Sequence, residues 1–374
     1  MSPHLEIQLI AIIVAVACSI PGVFLVLRKM AMMTDAITHT ILLGIVVAFF
    51  LVKDFNSPLL IIGATCVGLI TVYLVETLTK TRLVSEDSAI GIVFPLLFSI
   101  AIILISRYAG NAHIDTDSVL LGELAFAPFN RMIVFGVDIG PKALYTMSSI
   151  LLVNLVLVVL FFKELKLSIF DPELGAVLGF SPTLLLYGLM TSVSVTTVGA
   201  FEAVGSILVI AFMVGPPISA YLITDDLKQM VYLSAFIGGL NAVLGFRIAV
   251  VLDVSIAGAI AMMIGITFLL IFCFAPKRGL LSIVKRRKSQ KIDYAKKSMM
   301  FHILQHENEM NAAFENGVTT IYQHLNWDEK FAQPIVEQML LKEYLVIVNG
   351  VYNLTELGRK YAADSYEEIC DGQC

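Results

Sequence analysis

Charge is what this chain has least of: only 15% of its 374 residues are Asp, Glu, Lys or Arg, while 58% are hydrophobic. A soluble domain of ordinary make-up carries about 25% charged and about 45–50% apolar residues. The shortage excludes a soluble globular protein of this length and implies an integral membrane protein. Cysteine is also sparse, with five in all. Cys18, Cys66 and Cys273 lie in apolar runs and read as small buried hydrophobes, which excludes a disulfide framework. Cys370 and Cys374 form a C-x-x-x-C tail that fits either a metal clip or a frayed terminus. No basic segment precedes the first apolar run, which follows Met1 to Glu6 and ends at Arg28-Lys29, so a cleavable signal is not expected there. A phosphate loop of the G-x-x-x-x-G-K-[ST] type is missing too, so ATP hydrolysis has to come from a partner.

What the chain does have is apolar runs. Nine are legible, near 7–27, 31–52, 58–78, 89–106, 143–162, 184–200, 204–223, 230–251 and 255–275. Most are close to the roughly 20 residues that a helix needs to cross the hydrocarbon core. Only Phe201-Glu202-Ala203 separates the sixth from the seventh, so a single broken helix and a total of eight is the alternative. Arg28-Lys29, Lys80 with Arg82, Lys163 with Lys166, Lys228, and Lys277-Arg278 fall at every second connection, which assigns those connections to the cytoplasm. The N-terminus is then outside and the C-terminus inside, as an odd number of crossings requires.

Within the second run stands Thr34-Asp35-Ala36-Ile37-Thr38-His39. Ionisable groups at membrane depth are costly and mark functional sites, and residues four apart share a helix face, so Asp35 and His39 suit an ion pair or two ligands to one metal ion. The competing reading is a buried Asp–His hydrogen bond that only locks two helices together. The long external connection, 107–142, carries His113, Asp115, Asp117 and Glu123, which fit either a cation entry point or a solvated acidic loop. On the cytoplasmic side, Asp171-Pro172-Glu173 has the form of a helix start and Gly179 that of a stop. The short helix between them exposes Leu174, Val177, Leu178 and Phe180 to an apolar partner, either a docking protein or the ends of neighbouring spans. Gly and Pro recur at 200–205 and 213–217, where an interrupted helix implies a translocation path; Glu202 and Arg247 lie near segment ends and are able to snorkel.

Gly22 to Ala31 followed by Asp35 to His39 resembles the signature of the permease subunits of manganese, zinc and iron ABC importers. Further blocks follow in the family's order: Glu86 to Phe94, Asp115 to Gly122, Asp171 to Gly179, and Ala203 to Leu208 with Gly215-Pro216, so the resemblance covers about 5–278. It implies import of Mn²⁺, Zn²⁺ or Fe²⁺ as substrate, without a permanently bound cofactor, across the cell membrane. It also implies an extracytoplasmic metal-binding protein, cytoplasmic ATPase subunits and a second permease chain as partners. Asp35 and His39 match the family's metal-handling pair. Asp171, Glu173, Leu174, Leu178 and Gly179 match its coupling helix to the ATPase. Glu202 departs from the pattern, where relatives carry Gln.

The expected architecture is thus an all-α polytopic membrane domain of eight or nine spans (1–280), a basic juxtamembrane linker suited to anionic lipid (281–297), and a small α+β winged-helix domain (298–374). Helices are expected over 296–311, 319–325 and 328–342. Asn349-Gly350 then makes a hairpin turn. Gln338 to Ala362 resembles metal-dependent repressors of the diphtheria-toxin-repressor type. Against DNA binding, residues 298–374 hold four Lys and Arg against twelve Asp and Glu. A docking or regulatory module is the favoured role, and a membrane-tethered, metal-responsive gene regulator is the alternative function.

Overall fold

The computed structural model describes residues 2–53, 57, 59–108, 124–134 and 137–371. They form two compact units that divide between Gly279 and Leu280. The first contains helices α1 (Pro3–Leu27), α2 (Met32–Val52), α3 (Leu59–Lys80), α4 (Glu86–Tyr108) and α5 (Lys142–Leu160), two short ones, α6 (Phe162–Phe170) and α7 (Pro172–Val177), then α8 (Pro182–Val204), α9 (Ser206–Ile223), α10 (Leu227–Leu252) and α11 (Ile256–Phe274). Among the described residues, nine of these are long and apolar enough to cross a membrane. Only structures that satisfy every backbone group internally are stable in lipid, so apolar runs of this length become helices. Polar caps mark their ends. The side chains of Ser181, Asp226 and Ser255 accept first-turn amides at the starts of α8, α10 and α11, and Lys29 and Lys53 take left-handed φ values of 63° and 55° after α1 and α2.

The core is built round α1. In its most apolar window 72% of residues are buried, against 17% in α5 and α11, so α1 is enclosed while those two present Leu152, Val159, Leu269 and Leu270 outward, as lipid-facing helices do. α1 packs on α5, α8, α9 and α10. Lipid supplies no hydrophobic drive between helices, and close backbone approach through small residues replaces it. At Gly22 a Cβ would lie 2.2 Å from the Met213 carbonyl oxygen of α9, so only hydrogen fits there.

Among the described residues of the first unit, contacts between the ends of spans join ends that an alternating path puts on one side. Arg131 bridges to Glu6, Lys142 to Glu202, and Lys277 with Arg278 to Asp225, while Arg28 donates to Ser168. The choice between eight and nine crossings turns on Gly205. α8 runs through Phe201-Glu202-Ala203 without interruption and stops at Gly205, whose φ of 80° and ψ of 165° lie in a region that only glycine occupies freely. The chain then doubles back: the Thr197 hydroxyl, eight residues before the break, lies 3.7 Å from the Met213 sulfur, eight residues after it. A continuous helix would separate them by roughly 24 Å. α8 and α9 are therefore two spans.

Two features depart from expectation. The membrane unit is not all-α: β1 (Arg131–Val134) pairs antiparallel with β2 (Val137–Pro141), and Arg131 fastens the ribbon through Asp138 to Glu6 of α1. The basic stretch 281–297 is not a linker but the first part of one helix, α12 (Leu280–His306), whose Ala295, Met299, Met300 and Ile303 enter the core of the second unit. Basic side chains on its other faces hide this amphipathic stripe from a composition-based reading.

The second unit continues with α13 (Ala312–Glu315), α14 (Ile321–His324), α15 (Glu329–Leu341), the hairpin β3 (Leu345–Val348) and β4 (Val351–Leu354), and α16 (Glu356–Asp371). Asn349 and Gly350 both have positive φ, as a two-residue hairpin loop requires. Pro334 sits inside α15, beyond its first turn, on an exposed position; the helix continues through it because Ala332, Ile335, Val336 and Met339 are held in the core. The expected helix at 319–325 shrinks to the single turn α14.

Gly205→Ala is expected to cost about 1–3 kcal/mol of backbone strain, read as a lower thermal midpoint of the detergent-purified protein. Gly265→Ala in α11, where an added Cβ meets nothing within 4 Å, serves as the tolerated control. Equal midpoints would show that the α8–α9 reversal does not need glycine.

Candidate functional site

Asp35 lies in the first turn of α2 and His39 one turn further on, near the Arg28-Lys29 end of the first unit rather than midway along the 21-residue helix. A carboxylate in a first turn is favoured by the helix dipole. Asp35 Oδ1 is 3.4 Å from His39 Nε2, and their side chains remain 36% and 30% exposed. Met33, Thr34, Ala36, Ile37 and Thr38 around them are buried, so the pair occupies the open stripe of an otherwise enclosed helix turn. Thr38 Oγ1 donates to the Asp35 backbone carbonyl at 2.7 Å and not to its carboxylate. The His39 ring is flanked by Phe94 and Phe98 of α4, with centroids at 5.4 and 5.9 Å. These rings orient the imidazole without competing for its nitrogens. Among the described residues, no third His, Cys, Asp or Glu closes a three-ligand cluster round this pair.

At the same end a belt of polar contacts ties four helices. Arg28 Nη2 donates to the Ser168 carbonyl at 3.1 Å and to its hydroxyl at 2.9 Å, joining the end of α1 to α6. Glu76 of α3 accepts from Tyr187 of α8 at 2.5 Å and pairs with Lys80 at 2.8 Å. Burial lowers the Arg28 pKa, and nearby Glu76 and Glu86 oppose that shift. This belt holds the platform from which α7 projects.

α7 is six residues long, and its ends are as the sequence reading had them. Asp171 Oδ1 accepts from the Leu174 amide at 2.9 Å. At the other end Phe180 N donates to the Gly175 carbonyl and Gly179 N to that of Ala176, with Gly179 at φ 88°, the pattern of a Schellman stop. Gly175 packs against Leu167 and Pro182, but Leu174, Val177, Leu178 and Phe180 all stay exposed, Val177 at 84%. Among the described residues no span end covers these side chains, and the apolar face is left open.

Other expected positions separate from these. His113, Asp115, Asp117 and Glu123 lie outside the described residues. Glu202 is an ion-pair partner of Lys142 at 3.1 Å, at the opposite end of α8 from α7. Arg247 is exposed. Cys374 is outside the described residues and Cys370 falls in α16.

Sequence reasoning missed a buried polar network. Asn154 Nδ2 of α5 donates to the Ala17 carbonyl of α1 at 3.2 Å and to Thr196 Oγ1 of α8 at 2.8 Å, and its Oδ1 accepts from Ser192 at 2.6 Å. Thr71 of α3 donates to Thr40 of α2, and Thr267 of α11 to Asn241 of α10. The available signal was each lone Asn in an apolar run, since amides in lipid pair across helices.

The model of the ABC 3 transport family matches residues 5–275. The zinc transport system membrane protein TroD of Treponema pallidum is 43% identical over 336 residues, covering 90% of this chain and 91% of that protein. The manganese transport system membrane protein MntD of Bacillus subtilis is 46% identical over 271 residues, 72% of this chain and 92% of that one. Among solved structures, PsaBC from Streptococcus pneumoniae in complex with Fab superposes with a TM-score of 0.63 at 28% identity, over 76% of this chain and 95% of the other. An alignment of 336 residues is too long for the first unit alone, so the similarity to TroD extends into the second unit.

Proposed function

This chain belongs to the ABC 3 transport family, matched over residues 5–275, and from that we infer its place: the membrane-spanning permease subunit of an ABC importer of zinc, manganese or iron. ATP hydrolysis is the work of a separate ATPase subunit. The observation that carries the mechanistic reading is the open Asp35–His39 pair, two ligands on one exposed helix stripe beside Phe94 and Phe98.

One chain supplies two donors where a zinc-like site takes four. A second permease chain, identical or closely related, related by a two-fold axis and facing the same stripe, supplies the other two. The ion then passes between the chains, with His39 as neutral nitrogen donor and Asp35 as charge-compensating oxygen donor. That set suits Zn²⁺, Mn²⁺ and Fe²⁺ alike. The extracytoplasmic binding protein delivers the ion at the end opposite Arg28, with His113, Asp115 and Asp117 as its candidate entry residues. At the basic end, Leu174, Val177, Leu178 and Phe180 seat in the ATPase. An exposed apolar face that its own chain leaves uncovered supports a protein partner there. The second unit then lies in the cytoplasm.

Its order of helices, hairpin and closing helix supports a winged-helix reading, used for docking or regulation. Four basic against twelve acidic residues over 298–374 set it against DNA, because non-specific affinity comes from cations displacing counterions at phosphates.

Three results test this. Asp35→Ala and His39→Ala, each expressed with the binding protein and ATPase, should abolish cellular uptake of radioactive Mn²⁺ or Zn²⁺ with normal amounts of permease in the membrane; transport by both variants at the parental rate would leave the pair a structural role only. Leu174→Asp and Leu178→Asp put a charge into the apolar contact and should release the ATPase from detergent-solubilised complexes, whereas undiminished co-purification would move the contact elsewhere. Full-length protein titrated with genomic DNA fragments at low salt, with and without Mn²⁺, Fe²⁺ or Zn²⁺, should show no saturable binding; metal-dependent nanomolar binding would favour the gene-regulator alternative.

A further inference from the structure

Three of the chain's six histidines, His302, His306 and His324, gather in the second unit. His302 and His306 stand one turn apart on the last turns of α12, with ring centroids 4.7 Å apart. The chain then folds back so that Glu315, at the end of α13, and His324, at the end of α14, meet them. His324 Nδ1 is 3.3 Å and His302 Nε2 3.8 Å from the same oxygen, Oε2 of Glu315. Donor atoms of His302, His306 and Glu315 all lie within 4.8 Å of one another, the one such group among the described residues. All four side chains are partly covered, between 16% and 24% exposed, so water is limited but an ion has access.

A second observation concerns His306. Its Nδ1 is 2.7 Å from Glu309 Oε2, on the exposed side of the cluster. A carboxylate on one ring nitrogen fixes the tautomer and directs the other nitrogen outward as a ligand, the arrangement found behind metal-bound histidines. Nearby, Asn316 Nδ2 donates to the Ile303 carbonyl at 3.2 Å, which fastens the returning chain to α12 and holds Glu315 in place. An ordinary hydrogen-bonded cluster explains each contact singly, but not His302 and His324 meeting one carboxylate oxygen with a His306 nitrogen within 4.8 Å and no Lys or Arg paired to that carboxylate among the described contacts.

We propose that His302, His306, His324 and Glu315 bind one divalent transition metal ion, with Glu309 as the positioning residue of His306, at a site in the second unit distinct from Asp35 and His39. Three imidazoles and one carboxylate make a four-coordinate set suited to Zn²⁺, which such nitrogen-rich sites hold more tightly than Mn²⁺. The ion would clamp α12 to the α13–α14 segment, so its occupancy changes the rigidity of the second unit. The site goes beyond the transport reading and does not depend on it.

The test uses full-length, detergent-purified protein stripped by chelator, in an Asp35→Ala, His39→Ala background that removes the first pair. Competition titration with a chromogenic chelator should find one Zn²⁺ per chain. His302→Ala with His306→Ala should abolish it, and Glu309→Gln should weaken it by about 10- to 100-fold. Unchanged Zn²⁺ affinity in the double alanine variant would overturn the proposal. If that variant misfolds, His302→Cys keeps four donors, and Co²⁺ added to it should give a thiolate-to-metal charge-transfer band; a folded His302→Cys protein without that band overturns the proposal equally. Uptake is not read in this assay, so failure of this site and failure of the transport reading appear in different experiments.

Discussion

The enclosure of α1 is the constraint on which the membrane unit depends. Lipid offers neither hydrogen bonds nor a hydrophobic drive between helices, so a helix at the centre must be held by close contact and by polar groups facing inward. Both operate here. Gly22 admits the Met213 carbonyl of α9, and Asn154 of α5 reaches the Ala17 carbonyl of α1 while also bonding Thr196 of α8. An amide that links three helices at once fixes their rotation, which dispersion between apolar side chains leaves loose. With α1 placed, α2 has little choice. It follows a left-handed Lys29 and presents Asp35 and His39 on a stripe that stays about one third exposed beside Phe94 and Phe98 of α4.

How much of this was legible in the sequence follows from how far each signal reaches along the chain. Spans are written in runs of about 20 residues and needed no tertiary context. Caps were legible for the same reason, as Asp171 and the Asn349-Gly350 turn show. The separation of α8 from α9 was legible as two runs, with one broken helix as the alternative, but its position was not, because Phe201-Glu202-Ala203 looks like the break while the reversal occurs at Gly205, where φ decides and composition does not. The β1–β2 ribbon was missed since four- and five-residue strands in a connection leave little pattern, and what fastens them is Arg131 meeting Glu6 from the other end of the membrane unit's sequence. The cluster at His302 was invisible for a related reason: His302 and His306 are adjacent on one helix, but Glu315 and His324 join them only after two turns of chain that single-sequence periodicity does not resolve.

The helix at 280–306 shows how one segment misleads when read by charge alone. Lys285 to Lys288 and Lys296-Lys297 give it the look of a solvated tether. Yet Ala295, Met299, Met300 and Ile303 recur at helical spacing and are buried with Ile335, Met339 and Tyr352. A long basic side chain covers apolar surface with its methylene stem, so a stripe of this kind coexists with high charge. The consequence is structural: the same helix that begins the second unit also carries His302 and His306 at its far end.

That continuity bears on how the second unit could report on metal. A helix transmits displacement along its axis because each turn is bonded to the next, whereas a flexible tether of the same length would dissipate it. A cation bound by His302 and His306 acts on the end of α12, and its other ligands, Glu315 and His324, come from short elements of four residues each that have little stability alone. Ligand binding to such weakly held turns has a large effect on their order, since few other contacts already fix them. The rigid partner in the site is the helix and the responsive partner is the α13–α14 segment, so a change in metal occupancy is expressed first as ordering of that segment.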